Sequence, residues 1–370
     1  LSRLVLQDSF AAFAPTFASF AFYVLLNAKE RQGWRKGHRS LVLLTSGLLR
    51  PRARRYNARV ISHDYRNEPR IKLQPEKLDG LLLPITTPFF LSGELDLQSL
   101  AANLQSWNQT GVNGYVALGS TGERVNLDEQ EYQRVIEAAR AEVSDDRVFI
   151  VGAGQQSTLK TVAEIKLAAG SGADAVLVLT PFYYKSAITQ ETLLDYYRAV
   201  ADASPLPVIL YSMPALTGVK IAPQTVALLS EHQNIIGLKD SLCELEDLKL
   251  TLKLVADHFI VFCGNGTVWC EALLAGVAGG ILAVGCAVPE LCLEIFQAVR
   301  DGDRDRAVNL QNKLKPLAAA VTSRYGIGGL KAALDMNGYQ GGSVRAPLSP
   351  PTDRAREEIA LLLNESQAVA

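Results

Sequence analysis

From Gly80 onward the chain alternates short apolar runs with longer segments of helical period, and this alternation leaves few architectures open. The candidate strands are Leu81–Thr86, Gly114–Leu118, Val148–Gly152, Ala175–Leu179, Val208–Tyr211, Ile235–Lys239, Ile260–Cys263 and Gly280–Val284. Between them lie helical segments over Asp96–Thr110, Asp128–Val143, Ser157–Ser171, Gln190–Ala203, Pro223–Ser230 and Glu244–Ala256. Eight such units predict an α/β fold, a (β/α)8 TIM barrel. A doubly wound open sheet is the alternative, but the first βα turn, Thr86-Thr87-Pro88-Phe89-Phe90, lacks the Gly-rich dinucleotide pattern. Helices over Pro289–Arg300, Asp303–Val321, Gly328–Asn337 and Thr352–Leu363 exceed what a barrel needs and predict a C-terminal helical extension. The expected organisation is an N-terminal extension over residues 1–79, a catalytic barrel over 80–300 and a helical domain over 301–370.

The net charge of −1 hides an asymmetry. Residues 1–80 carry 15 Lys and Arg against six Asp and Glu, whereas residues 81–370 carry 22 against 32. An acidic barrel gives no electrostatic reason to expect nucleic acid or a membrane surface as partner. In the basic segment, Ser9–Ala28 is free of charge and long enough for a membrane span or a signal core. The stretch Arg50–Arg70 is Arg-rich, as organelle-targeting peptides are. The first residue is Leu and the first methionine is Met213, so an over-extended start, with the true one close to Leu73, competes with targeting. The first reading predicts a cytoplasmic enzyme and the second a mitochondrial matrix one.

Cys243, Cys263, Cys270, Cys286 and Cys292 form no C-x-x-C pair, and the four histidines are scattered. Buried free thiols are expected, with no structural disulfide, metal or organic cofactor.

In a barrel the chemistry sits where strands end. Lys239 follows the apolar run Ile235-Ile236-Gly237-Leu238, which would carry it into the barrel mouth. Burial makes an ammonium easier to deprotonate, and a neutral amine attacks carbonyls. A lysine that simply leaves the strand for solvent is the plainer reading. Tyr211 ends the preceding strand, so its phenol should converge on Lys239 and could move protons. A core tyrosine is its plainer reading. Ser120 and Thr121, between Gly119 and Gly122, offer hydroxyls and N–H groups suited to a carboxylate, or else merely cap the next helix.

The segments Gly119–Glu123, Tyr211–Pro214 and Gly237–Ser241, in order along the chain from about Gly80 to Leu348, resemble the motifs of the dihydrodipicolinate synthase / N-acetylneuraminate lyase family. The resemblance implies a Schiff-base-forming lyase acting on a pyruvate-type 2-oxo acid, usually a homotetramer built as a dimer of dimers. By it, Lys239 is the Schiff-base lysine, Tyr211 the proton-transferring tyrosine, and Ser120 and Thr121 the hydroxyl pair of relay and carboxylate binding. Tyr183 matches a tyrosine that family members insert into a neighbouring subunit's site.

The branch is read from departures. Synthases of the family carry an Arg two residues beyond the proline of the tyrosine motif, where this chain has Leu216. Sialate lyases carry an Asp-Glu pair where this chain has Gly266-Thr267. The stretches Val321–Lys331 and Tyr211–Pro214 look most like 4-hydroxy-2-oxoglutarate aldolases, which yield pyruvate and glyoxylate. That activity is the leading expectation, with Ser241 and N–H groups near Gly264 as candidate holders of the glyoxylate carboxylate. The alternatives are 4-hydroxy-tetrahydrodipicolinate synthase, a 2-oxo-3-deoxy sugar-acid aldolase or dehydratase, and a non-catalytic pyruvate-binding barrel.

Overall fold

The computed structural model describes residues 75–368, so the expectations for the charge-free and Arg-rich stretches lie outside the described residues. Eight parallel strands close into a barrel in sequence order: β1 Gly80–Pro84, β2 Gly114–Ala117, β3 Val148–Ala153, β4 Ala175–Leu179, β5 Val208–Ser212, β6 Ile235–Asp240, β7 Ile260–Cys263 and β8 Gly279–Ile281. Closure joins β1 to β8, with Gly80 opposite Gly279.

The strands are buried on both faces, which is why they read as continuous apolar runs rather than alternating ones. The two-residue period survives in where each side chain goes. In β3, Val148 and Ile150 fill the barrel interior while Phe149 and Val151 join the layer beneath the helices. In β5, Ile209 and Tyr211 turn inward and Val208 and Leu210 outward; in β7, Phe262 turns inward and Val261 and Cys263 outward. Leu78, in a short 3-10 turn over Pro75–Leu78, belongs to the interior cluster, so the barrel begins slightly before the expected boundary.

Several helices start at side-chain caps that the sequence shows. The helices are α1 Leu97–Trp107, α2 Glu129–Glu142, α3 Thr158–Gly170, α4 Gln190–Ala203, α5 Pro214–Thr217, α6 Pro223–Ser230, α7 Leu245–Leu254, α8 Trp269–Ala275, α9 Pro289–Arg300, α10 Arg304–Ala319, α11 Gly326–Met336 and α12 Asp353–Gln367. Asp128 caps α2 in a reciprocal box with Glu131, and Asp96, Ser157, Thr189 and Thr352 cap α1, α3, α4 and α12. The indoles of Trp107 and Trp269, both fully buried, donate to the carbonyls of Cys286 and Cys292 at 3.0 Å, so these large side chains pack without an orphaned donor.

Two expectations are corrected. The eighth strand stops at Ile281, and Ala283–Cys286 forms a buried 3-10 turn, an apolar run that periodicity cannot tell from strand. The helix expected over Asp303–Val321 ends at Ala319, three residues after Pro316, and passes through a π turn over Ala320–Arg324 into α11. The short α8 had no expected counterpart.

Candidate active site

Register brings the catalytic candidates together. Leu238 faces the outer layer, so Lys239 must face inward, and it pairs in register with Tyr211 on β5 and Phe262 on β7, both interior residues. A register shift between Val208 and Ile209 sets this row, because it places Ile209 opposite Gly237. The Lys239 amine lies 4.6 Å from the centroid of the Tyr211 ring, and the residue is 5 % exposed. The lysine ion pairs among the described residues are those of Lys220, Lys249 and Lys331, so no carboxylate holds Lys239. The neighbouring carboxyl of Asp240 is held above its usual range by burial, opposed by N–H donors from Cys243 and Leu242.

The Tyr211 hydroxyl is 3.2 Å from Ser120 Oγ. Ser120 and the buried Thr121 sit on the turn after β2, where Gly122 N–H bonds the Gly119 carbonyl and Glu123 N–H the Ser120 carbonyl. Leu118 (φ 57°) and Glu123 (φ 52°) flank this turn in the left-handed region, a strained conformation for side-chain-bearing residues. The turn lies flat on β3 only because position 152 is glycine, where a Cβ would fall 2.2 Å from the Leu118 carbonyl oxygen.

Ser241 and Gly264 also meet at Lys239. A Cβ on Gly264 would stand 2.6 Å from Ser241 Oγ and 3.0 Å from Lys239 Cε, so glycine makes room for the lysine stem. Of the N–H groups near Gly264, that of Gly264 itself donates to the Asp240 carbonyl at 2.7 Å and is not free for a carboxylate. Tyr183 is elsewhere. It is 73 % exposed on the β4–α4 turn, stacked edge-on to Tyr184 at 5.1 Å, and its main-chain N–H bonds Gln156 Oε1. Leu216, 65 % exposed on α5, brings no charge to the mouth, and Lys220 beyond it is engaged by Glu244 and Asp247.

The five cysteines are buried and free, and Cys243 and Cys263 touch, with sulfurs 3.0 Å apart. Burial pushes the Cys286 thiol up, opposed in part by the charge of Lys239. Among the described residues no group of His, Cys, Asp and Glu could hold a metal, and no helix is long and apolar enough to cross a membrane. The residues that the motifs contained but to which the sequence assigned no role are Glu123 and Lys331, which pair in the interior. A single lysine between Leu330 and Ala332-Ala333 on the apolar α11 was the available signal.

This arrangement matches known proteins along most of the chain. A 4-hydroxy-tetrahydrodipicolinate synthase of Xanthomonas axonopodis pv. citri is 36 % identical over 273 residues, 74 % of this chain and 89 % of that protein. A monomeric dihydrodipicolinate synthase variant of known structure is 31 % identical with a TM-score of 0.74, over 78 % of this chain and 97 % of the other. YagE, a prophage protein from E. coli K12 solved in complex with pyruvate, is 29 % identical with a TM-score of 0.73, over 78 % and 98 %. The sequence profile of the dihydrodipicolinate synthetase family matches residues 77–366, from the floor of the barrel to the last helix. With its closed barrel and C-terminal helices, the chain belongs to the dihydrodipicolinate synthetase family, whose members are class I lyases forming a Schiff base with pyruvate.

Proposed function

We propose that Lys239 forms the Schiff base with the 2-oxo group of pyruvate or of a pyruvate-yielding 4-hydroxy-2-oxo acid. The observation that carries this reading is a buried amine without a carboxylate partner, stacked over the Tyr211 ring. In the mechanism, the Lys239 amine adds to C2 and the carbinolamine loses water to give a protonated imine. Ser120 and Thr121 hold the C1 carboxylate. In the cleavage direction Tyr211, bonded to Ser120, takes the proton of the C4 hydroxyl. The C3–C4 bond breaks, its electrons pass to the imine, and the resulting enamine is protonated at C3 and hydrolysed. Condensation runs the same steps backwards with an aldehyde.

For the aldehyde, the relatives' names favour aspartate semialdehyde and the synthase reaction. The second reading, cleavage of 4-hydroxy-2-oxoglutarate, rests on Leu216 standing where synthases of the family carry Arg and on the likeness of Val321–Lys331 to the aldolases; either substrate brings a second carboxylate that needs a donor other than Leu216. Comparing kcat/KM for condensation with aspartate semialdehyde and for cleavage of 4-hydroxy-2-oxoglutarate decides between them. Faster condensation gives the synthase, and faster cleavage gives the aldolase. Neither activity, together with no pyruvate adduct, would leave only a binding barrel.

The exposed Tyr183 supports a site shared between two subunits, with its hydroxyl completing the relay of a neighbour. Mixed Lys239→Ala and Tyr183→Phe subunits should then regain part of the activity. Full activity of an isolated monomer would refute this.

A further inference from the structure

The turn that offers Ser120 and Thr121 to the substrate is fastened from below by a pair of buried charges, and the second charge comes from the far end of the chain. Lys331 on α11 donates to Glu123 Oε1 at 2.6 Å, to the Ser343 carbonyl at 2.6 Å and to the Thr87 carbonyl at 2.7 Å. All three ammonium donors are thereby used, and Phe89 covers the amine at 4.6 Å from its ring centroid. The two side chains are 2 % and 0 % exposed. The second oxygen of Glu123 accepts the Arg345 N–H at 3.0 Å and Asn126 Nδ2 at 3.3 Å. Thr87, whose carbonyl Lys331 holds, returns its own hydroxyl to the Gly122 carbonyl at 2.8 Å.

Both ends of this network meet the strained turn. Glu123 is its left-handed terminal residue, and its N–H bonds the Ser120 carbonyl. A non-glycine residue keeps such a conformation only where surrounding contacts over-determine it. The barrel alone supplies few: the turn after β1 gives Thr87 and the turn itself Asn126, while Lys331, Ser343 and Arg345 all follow β8 by some distance in sequence. A buried pair of this kind need not add stability over an apolar filling, so its position calls for another account.

We infer that Glu123 and Lys331 are positioning residues, through which α11 and the segment after it set the geometry of the Ser120–Thr121 turn and so the affinity for the 2-oxo acid carboxylate. The inference rests on the proposed role of that turn. It differs from a purely structural role in what it predicts for kinetics: loosening the turn weakens ground-state binding of the carboxylate more than it slows the chemistry at Lys239.

The test compares the full-length wild type with Glu123→Gln, the double variant Glu123→Gln/Lys331→Met, and Leu363→Ala, a buried residue of α12 outside the network. Borohydride trapping with pyruvate comes first. A wild type that forms no adduct removes the reading of the site itself, whatever the variants do. Given an adduct, Glu123→Gln should raise KM for pyruvate about tenfold or more with a much smaller change in kcat. The double variant leaves no buried unpaired charge and should recover folding stability while KM stays high. It also serves if the single variant does not fold. Leu363→Ala should lower the thermal midpoint and leave KM alone. Wild-type KM in a folded Glu123→Gln or double variant overturns the inference, as does a KM that rises equally in Leu363→Ala.

Discussion

Among the described residues two lysines lie in the interior, and the difference between their surroundings separates reactivity from structure. Lys239, at the end of β6, has an aromatic ring beside it and no carboxylate. Lys331, on α11, also has a ring beside it, but three oxygen acceptors enclose its amine. Burial pushes the Lys331 ammonium down, and the Glu123 carboxylate opposes that shift. A saturated, paired amine has neither a lone pair to offer nor space for a carbonyl carbon. An amine without acceptors at the mouth of a barrel has both once it loses its proton. Burial by itself therefore distinguishes nothing; the partners decide.

The comparison breaks most sharply under substitution of Lys239. Lys239→Ala should abolish the pyruvate adduct seen by mass spectrometry after borohydride, and Lys239→Arg should be equally inert because a guanidinium stays protonated. An adduct that persists at another lysine would reverse the assignment of the two. Next in size is Tyr211→Phe, which keeps the ring against Lys239 and removes only the hydroxyl bonded to Ser120. Turnover should fall by roughly 10²–10⁴-fold with little change in thermal stability. Near-normal turnover would return Tyr211 to the core.

At Lys331 the expected loss is one of folding. Lys331→Met strands the Glu123 carboxylate in the interior and should destabilise by about 3–5 kcal/mol in denaturant titrations. A change below about 1 kcal/mol would mean that water reaches Glu123 and that the pair is not sealed. The smallest effect belongs to Glu131. Its hydrogen bond from Arg345 holds the carboxyl below the usual range. The folded protein thus binds this proton less readily than the unfolded chain. The associated stability is present above the unfolded pKa, about 4.3, and is lost as pH falls through the lower folded value. In Glu131→Gln, whose amide oxygen can still close the α2 cap, the drop in thermal midpoint between about pH 5 and about pH 3 should shrink. An unchanged drop would place the acid sensitivity in other carboxylates.

The strands were legible in the sequence because a strand buried on both faces must be apolar throughout, as Val148–Val151 and Val208–Leu210 are. Helix starts were legible because a cap is chemistry within four residues, as at Asp128 and Glu131. Lys239 and Tyr211 could be read for the same local reason: a polar residue at the end of an apolar strand goes to the barrel mouth. Where local pattern is ambiguous, the reading drifted, and the strand expected over Gly280–Val284 runs at its end into the turn Ala283–Cys286. The Gly264 amide seemed free because a sequence does not show which strand-end donors the ladder consumes.

The sequence by itself determined the order of strands and helices, the inward-facing lysine and tyrosine, and the hydroxyl turn between two glycines. Each follows from interactions among residues close in the chain or from a fixed two-residue period. The tertiary structure decided how the expected convergence of Tyr211 and Lys239 is made, since their pairing in one row depends on a register shift between Val208 and Ile209. It also decided that Glu123 meets Lys331, 208 residues away. A buried charge must find its partner wherever packing brings one, and no local pattern encodes that meeting.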